Sequence, residues 1–356
     1  MSNEVVFFGG FMLFIILMLS IDLGLFNKKD HVVKLKEAAI MSFIWVSFAL
    51  GFYFILLAEG QELHGITNLD QLKHIVQENK HNITLIPDNF SASIHLYNQN
   101  LGLEFLTGYL VEYALSVDNI FVMVLIFTAF GVEEKLYHRV LFWGIVGALL
   151  MRFLFIFLGA TLINQFEWIL YVFGAFLLYT GVMMLFQRDE DQKIDPKNHK
   201  VVRLASKYFA VYPGFSGNKF FIKQNGKKMV TTLFLVLLIV EFTDLIFAVD
   251  SIPAIFAVTK DPYIVFFSNI FAILGLRSMF FLLVNIIHKF HYLKIGLAFL
   301  LIFIGVKMLA HSWLAQIGFT TMHSLILIVL ILTISIVASL LFPKRKHLQH
   351  TDSAKH

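Results

Sequence analysis

Two segments of the chain carry the same arrangement of acidic residues. Glu112 and Asp118 lie six residues apart in one apolar segment, and Asp244 and Asp250 lie six residues apart in another. An ionised side chain at the centre of a bilayer costs at least about 2.5–3.5 kcal/mol, so such residues usually mark a function. A duplicated pair of them predicts a transport site built from two related halves of the chain.

Polar neighbours extend both acidic motifs. Asn119 directly follows the second carboxylate of the first motif, Ser251 directly follows that of the second, and Glu241 lies three residues before Asp244. Carboxylates, an amide and a hydroxyl form an all-oxygen ligand set, which suits hard cations such as Mg²⁺, Ca²⁺ or Mn²⁺. The predicted metal-ligating residues are Glu112, Asp118, Asn119, Glu241, Asp244, Asp250 and Ser251.

Helix geometry limits what each motif can do alone. Residues six apart differ by about 120° around a regular helix, so Glu112 and Asp118 do not share a face. Either the two carboxylates contact different neighbours, or the helix is locally broken. Pro253 predicts a break in the second segment, because proline leaves the carbonyl of Val249 without its helical hydrogen-bond donor.

Two arginines are the predicted counter-charges of these carboxylates. Arg152 and Arg277 each lie in the apolar segment that follows an acidic motif. An arginine that gives up a carboxylate to a metal ion or to a proton would couple transport to charge exchange. Asp22, near the end of the first apolar segment, is a further candidate. A fixed structural ion pair is the alternative for Asp22 and for either arginine.

The composition is that of a multi-pass membrane protein. The chain is 58% hydrophobic and 15% charged, whereas soluble domains carry about 25% charged residues. No cysteine occurs, which excludes thiol catalysis and disulfides within these 356 residues. Nine segments have the roughly 20 apolar residues that cross a bilayer. They are 5–26, 38–58, 104–130, 139–160, 166–186, 230–257, 263–287, 290–309 and 321–342.

The basic residues predict an orientation for these spans. Most of them lie in alternate connections, including the loop 187–229 and the C-terminal tail, while the other connections hold only Lys73, Lys80 and Lys260. The positive-inside rule then places the N-terminus outside and the C-terminus in the cytoplasm. Because the basic residues lie between spans, the net charge of +4 does not indicate a nucleic-acid partner.

The order of acidic helix, arginine helix and Gly-Val helix occurs twice. Gly181-Val182 of the fifth span corresponds to Gly305-Val306 of the eighth. Each unit has three spans, so the second copy enters the membrane from the opposite side, as in the inverted repeats of carriers. The predicted fold is therefore an all-α polytopic membrane domain of about nine helices, with spans 3–5 and 6–8 as an inverted repeat.

The chain divides into six predicted segments within one transmembrane domain. The external loop is compatible with short amphipathic helices or with a lid. The basic loop is expected to contact anionic lipid headgroups rather than a specific protein. The segments are two N-terminal spans (1–58), the external loop (59–103), the first repeat (104–186), the basic cytoplasmic loop (187–229), the second repeat (230–309), and the last span with its tail (310–356).

These motifs resemble the TerC family of integral membrane proteins and, within it, the Alx-like members. The resemblance rests on the blocks Glu112-Tyr-Ala-Leu-Ser-Val-Asp118-Asn119-Ile-Phe, Val140 to Arg152, Glu241 to Pro253, and Ser268-Asn269 to Arg277-Ser. It implies a multi-pass protein of the bacterial inner membrane that is linked to metal homeostasis, with manganese efflux as the activity. It also implies a metal site at the acidic residues of the third and sixth spans.

Two functions follow as hypotheses. The first is a secondary transporter that exports Mn²⁺ by alternating access, with proton exchange as the expected driving force; Ca²⁺ stays open as a cargo. No ATP site is expected, since no GxxxxGK[ST] motif occurs. The second is a membrane assembly or metalation factor that acts on exported proteins without transport. Neither hypothesis makes the chain an enzyme or gives it a bound cofactor. The expected partners are a divalent ion and the bilayer, and a homo-oligomer or a translocon contact is left open.

Overall fold

The computed structural model describes residues 3–26, 33–166, 168–186, 200–224, 226–284 and 292–342. Within these ranges the chain is helical apart from one small hairpin and its connections. The elements are α1 (Asn3–Phe26), α2 (Leu35–Glu59), a 3-10 helix (Gly60–Leu63), α3 (Leu69–Glu78), α4 (Phe90–Phe130), α5 (Glu134–Gln165), α6 (Trp168–Phe186), α7 (Lys200–Tyr208), β1 (Phe221–Gln224), β2 (Lys227–Val230), α8 (Thr232–Phe256), α9 (Pro262–Val284), α10 (Leu293–Leu309), α11 (His311–Gln316) and α12 (Thr321–Leu341).

Seven helices of the described chain are long and apolar enough to cross a membrane, namely α2, α4, α5, α6, α8, α9 and α12. Each of the nine predicted spans coincides with a helix, but α1 contributes the shorter apolar stretch Val5–Ser20 and α10 has 17 residues. The all-helical membrane class is therefore confirmed, whereas the count of nine stays a prediction. Many large apolar side chains of these helices are exposed, as expected of a surface that faces lipid.

Helix α4 begins at Phe90, whereas the sequence predicted its span to start at 104. The side chain of Asn89 caps the helix by accepting a hydrogen bond from the backbone N–H of Ala92 at 3.0 Å. At 41 residues, α4 is about 60 Å long, roughly twice the hydrocarbon thickness. Much of the predicted loop 59–103 is therefore helical, and it also contains the 3-10 helix and α3.

The described part of the basic loop is folded against α8. Helix α7 precedes an antiparallel hairpin in which Phe221 of β1 pairs with Val230 of β2. Phe234 at the start of α8 contacts Phe209 and Phe221 through its ring. Residues 187–199 of this loop lie outside the described residues.

The helices of the two predicted repeat units pack reciprocally. Helix α4 packs on α9, and its counterpart α8 packs on α5, the counterpart of α9. Helices α6 and α10 pack on each other so closely that glycine is required: a Cβ on Gly305 would lie 2.8 Å from the carbonyl oxygen of Gly174, and one on Gly181 would lie 2.8 Å from that of Ala298. These two close approaches are the reciprocal pairs that an internal two-fold relation would produce.

The predicted helix break at Pro253 is wrong. Helix α8 runs without interruption from Thr232 to Phe256, with Pro253 inside its last turn. A proline there removes one backbone hydrogen bond close to the point where the helix ends in any case, so the chain does not unwind. The backbone N–H of Ala257 still donates to the Pro253 carbonyl at 3.0 Å.

Candidate ion-binding site

Arg152 lies at the centre of a buried polar network between α4, α5, α8 and α9. Its Nη1 donates to Glu112 Oε1 at 2.5 Å and to Asn269 Oδ1 at 2.8 Å, and its Nη2 donates to Asp244 Oδ1 at 3.4 Å. Asn269 in turn donates from Nδ2 to the other oxygen of Glu112 at 3.0 Å. All four side chains are buried. Four helices are thus tied together by one guanidinium group.

This network uses the first carboxylate of each acidic motif and leaves the second outside it. Because α4 is a continuous helix, Glu112 and Asp118 point in different directions, which was the first of the two alternatives above. Glu112 faces Arg152, whereas Asp118 faces a cavity on another side of α4. Helix α8 separates Asp244 from Asp250 in the same way. The four carboxylates therefore form two groups and not one cluster.

The second carboxylates, Asp118 and Asp250, line one cavity between α4, α6, α8 and α10. Its volume is about 210 Å³, and since one water needs only about 10–15 Å³ of such space, an ion and several waters fit. Asn119, Ser251 and Thr180 add an amide and two hydroxyls to its wall. The rest of the wall consists of Leu115, Met183, Met184, Phe247, Leu297 and Leu301.

Two oxygens of the residues that line this cavity have no donor. Asp250 Oδ1 and Asn119 Oδ1 are both buried, and within the described chain neither accepts a hydrogen bond. Buried acceptors in proteins are nearly always satisfied, so two such oxygens beside one cavity require an explanation. A cation bound in the cavity would satisfy both.

The charges around the cavity also favour a cation. Asp118 and Asp250 are close enough to interact electrostatically, the Thr180 hydroxyl hydrogen-bonds to the Asp250 carboxylate, and Lys294 of α10 interacts with Asp118. Two carboxylates and one ammonium group carry a formal charge of −1. A divalent cation would therefore enter a site of opposite charge.

A cation here would be held by few protein carboxylates. Among the described residues no group of three or more His, Asp or Glu side chains is close enough to hold a metal ion. Two carboxylates, neutral oxygens and retained waters are nevertheless a ligand set that small divalent ions accept, since such ions often keep several waters.

Ser251 connects the cavity to the arginine network. Its side chain lines the cavity, and its Oγ accepts a hydrogen bond from Arg152 Nη1 at 3.3 Å. One side chain therefore contacts both the cavity and Arg152. Ser251 was predicted as a ligand, and the structure places it at the boundary of the two groups.

The remaining predicted site residues lie outside the cavity. The carboxylate of Glu241 packs against Gly147 of α5, and a Cβ at position 147 would clash with this carboxylate. Arg277 contacts Nε2 of His138 at 3.2 Å and lines a small separate cavity together with Asp244. Asp22 belongs to α1, and its side chain lies outside the described part of the chain.

Sequence reasoning missed the contributions of α6 and α10 to the cavity. Thr180 was not singled out, although a hydroxyl directly before the repeated Gly181-Val182 of an apolar helix was a usable signal. Lys294 of α10 was not among the predicted site residues, and it interacts electrostatically with Asp118. Met183 and Met184 give no signal in the sequence, because methionine is common in apolar helices.

A second buried polar cluster joins α4 to the connections at its N-terminal end. His81 contacts Glu104 at 3.0 Å, His64 contacts Asp261 at 2.9 Å, and the Thr259 hydroxyl donates to Glu104 at 2.6 Å. Burial alone would lower the pKa of His81, but Glu104 and Asp261 together raise it above its usual value. Burial alone would raise the pKa of Asp261, but His64 and His81 together lower it.

Apolar helices that enclose a buried arginine, its carboxylates and an acidic cavity define a multi-pass membrane protein with a charged centre. Residues 97–347 match the family described as Integral membrane protein TerC family. The chain belongs to this family, as the resemblance of its motifs predicted.

Several curated proteins are similar to the chain over most of its length. An uncharacterized membrane protein of Myxococcus xanthus is 44% identical over 348 residues, which cover 97% of this chain and 94% of the relative. Alx of Salmonella typhi is 42% identical over 85% of this chain and 84% of its own, and Alx of Escherichia coli K12 is 41% identical over the same shares. The name of Alx provisionally describes a membrane-bound redox modulator. No solved structure matches the chain.

Proposed function

We propose that this protein is a secondary transporter that exports Mn²⁺ across the bacterial inner membrane. The observation that carries the proposal is the pair of buried oxygens without donors, Asp250 Oδ1 and Asn119 Oδ1, beside a cavity that also contains Asp118. Oxygen ligands and a negative formal charge suit a hard divalent cation. The site is built from four helices, so a change in their packing would also change access to it.

The reciprocal packing of the two units supports alternating access. In an inverted repeat, the two units can exchange conformations and so expose one site to either face of the membrane. The pairing of α4 with α9 and of α8 with α5, together with the two reciprocal glycine contacts of α6 and α10, is what such a relation requires. We therefore keep the nine-span topology, with the N-terminus outside and the C-terminus cytoplasmic, as part of the proposal.

Methionines in the cavity wall favour Mn²⁺ over Ca²⁺ as the cargo. Met183 and Met184 line the same cavity as Asp118 and Asp250. A thioether is a softer ligand than any oxygen, and Ca²⁺ is a harder ion that takes oxygen ligands. A sulfur close to the ion would therefore penalise Ca²⁺ more than Mn²⁺.

Proton exchange is the proposed driving force. When the ion leaves, Asp118 and Asp250 face each other across the cavity without it, and a proton on either carboxylate relieves their repulsion. Arg152 is held by the neighbouring network and reaches the cavity through Ser251. Ion release and proton uptake would thus take place at the same site.

Transport by the purified protein tests the proposal. We expect proteoliposomes with the wild-type chain to move Mn²⁺ when a proton gradient is imposed, and Asp250→Asn to abolish this movement. Asp70→Asn is the matched control, because Asp70 is an exposed aspartate of α3. If Asp250→Asn transports Mn²⁺ as fast as the control, the cavity is not the transport site and the proposal fails.

The alternative of a metalation or assembly factor predicts a different outcome from the same variants. It expects no Mn²⁺ movement by the wild-type chain and a defect of exported metalloproteins in cells. Should the redox role in the name of Alx extend to this chain, thiol exchange by its own residues is excluded, because the 356 residues contain no cysteine.

A further inference from the structure

Helix α7 packs on the first turns of α8, which is long and apolar enough to cross a membrane. An apolar cluster joins the two helices through Ala205 of α7 and Leu235 of α8, and Val202 and Leu238 pack on this cluster. Leu238 lies six residues after Thr232, the first residue of α8, which is a rise of about 9 Å. Helix α7 therefore lies at the level where α8 enters the bilayer.

This contact is on the lipid-facing side of α8. Phe242, Ile246 and Val249, further along α8, are exposed as expected of side chains that face lipid. On a regular helix these three side chains lie within about 80° of Leu235 and Leu238. Helix α7 is therefore in line with the lipid-facing surface of α8 and lies next to the surface of the bilayer.

The exposed part of α7 is divided into apolar, basic and polar sides. Leu204 and Tyr208, one turn apart, are 60% and 71% exposed. Ser206 is also exposed, but it lies about 160° from Leu204 around the helix. The exposed side chains of Arg203 and Lys207 lie between these two sides. This is the pattern of an amphipathic helix that lies in a membrane interface.

The apolar side continues from α7 onto the hairpin. Phe209, which follows α7, and Phe221 of β1 are both exposed, and the rings of both contact Phe234 of α8. No acidic residue occurs between Lys200 and Val230. The exposed basic residues of this segment are Arg203, Lys207, Lys219, Lys223, Lys227 and Lys228. We call these six residues together with Leu204, Tyr208, Phe209 and Phe221 the interfacial face.

We propose that the interfacial face lies on the membrane surface and binds the headgroups of anionic phospholipids. The apolar side chains enter the boundary between headgroups and acyl chains, and the lysine and arginine side chains beside them reach the phosphates. Anionic lipids attract a cluster of basic residues next to a membrane-spanning helix. The structure narrows the contact expected of the whole basic loop to one side of α7 and the hairpin. The proposal is independent of Mn²⁺ transport.

A spin label on the full-length protein measures whether the apolar side of α7 enters the membrane. The chain contains no cysteine, so Leu204→Cys provides a single attachment site. In nanodiscs of phosphatidylcholine mixed with phosphatidylglycerol, this label should be more accessible to oxygen, which dissolves among acyl chains, than to a water-soluble nickel chelate. Ser206→Cys, on the opposite side of α7, is the matched control and should show the reverse preference. Tyr208→Cys provides a second position on the apolar side if Leu204→Cys does not fold.

The lipid composition then tests the recognition of anionic headgroups. In phosphatidylcholine alone, or at high salt, the label at position 204 should become more accessible to the nickel chelate, because the electrostatic attraction is lost. Arg203→Gln together with Lys207→Gln should remove this difference between the two lipid compositions. Lys73→Gln, which replaces an exposed lysine of α3, should retain the difference.

Three results would contradict the proposal. Equal accessibility of the labels at positions 204 and 206 to the nickel chelate would show that the interfacial face lies in water. The same depth of the label at position 204 in both lipid compositions would exclude recognition of anionic headgroups. Protection of this label from both reagents would show that protein covers the face, such as the acidic residues 189–191 of the same loop.

Discussion

Arg152 of α5 donates a hydrogen bond to Glu112 of α4, and both side chains are buried. The two residues are 40 positions apart in the chain, and their contact closes the network that also holds Asp244 and Asn269. A buried ion pair adds little net stability when it is intact, but the loss of one partner leaves a buried charge without compensation. Removal of either residue would therefore leave a buried charge without compensation between the four helices.

Arg152→Ala is expected to destabilise the protein by about 3–5 kcal/mol, because Glu112 and Asp244 would both lose their cationic partner in a buried position. Thermal unfolding in detergent measures this effect. Arg203→Ala is the matched control, since Arg203 is an exposed arginine of α7. Equal unfolding temperatures for Arg152→Ala and the control would show that the network carries no stability.

Gly181→Ala is expected to destabilise the α6–α10 contact by about 1–3 kcal/mol, the usual cost of overpacking. The new Cβ would lie 2.8 Å from the Ala298 carbonyl oxygen and 2.9 Å from the Ile302 backbone nitrogen. Gly51→Ala is the control, because a Cβ at Gly51 of α2 meets open space. Chemical denaturation of both variants provides the comparison, and a Gly181→Ala variant as stable as Gly51→Ala would contradict the close packing.

The cluster of His64, His81, Glu104 and Asp261 is expected to make the segment from the 3-10 helix to residue 89 sensitive to pH. The pKa of His81 is raised above 6.5, so its contribution to stability is complete below pH 6.5 and is lost as the pH rises through the folded pKa. The pKa of Asp261 is lowered below 3.8, so its contribution is present above pH 3.8 and is lost as the pH falls through the folded pKa. The cluster should therefore stabilise the segment at mildly acidic pH, and its contribution to stability should decrease at alkaline pH.

Amide hydrogen exchange of α3, corrected for the pH dependence of the intrinsic exchange rate, measures this loss of stability. His81→Gln should remove most of the alkaline step, whereas His74→Gln should retain it, because His74 is an exposed histidine of α3 that pairs with Glu78. A wild-type profile in His81→Gln would assign the pH dependence to other groups.

Met184→Leu is expected to reduce the preference for Mn²⁺ over Ca²⁺ by about tenfold, which corresponds to about 1.4 kcal/mol. The substitution keeps an apolar side chain of similar volume and removes the sulfur from the cavity wall. Competition of Ca²⁺ with Mn²⁺ in the proteoliposome assay measures the preference. Met322→Leu on the exposed surface of α12 is the control, and identical competition in both variants would exclude a role of the sulfur.

The sequence predicted only part of the secondary structure correctly. The lengths of the apolar segments predicted nine helices, because a membrane-spanning helix needs about 20 apolar residues. They are α1, α2, α4, α5, α6, α8, α9, α10 and α12. The start of α4 at Phe90 was missed, since its first turns are polar and no hydropathy signal separates a polar helix from a loop. Pro253 was overinterpreted because its effect depends on its distance from the end of α8, which the sequence does not show.

The sequence by itself determined the membrane class, the family, and the identities of the residues that carry charge into the bundle. Charges in apolar segments are so costly that Glu112, Asp118, Arg152, Asp244 and Asp250 stand out without any coordinates. Only the tertiary structure decided how they are divided: Arg152 holds Glu112 and Asp244, while Asp118 and Asp250 share a cavity with Thr180. The reason is that helical periodicity places residues six apart on different faces, and which neighbour each face meets depends on the packing of helices distant in the chain.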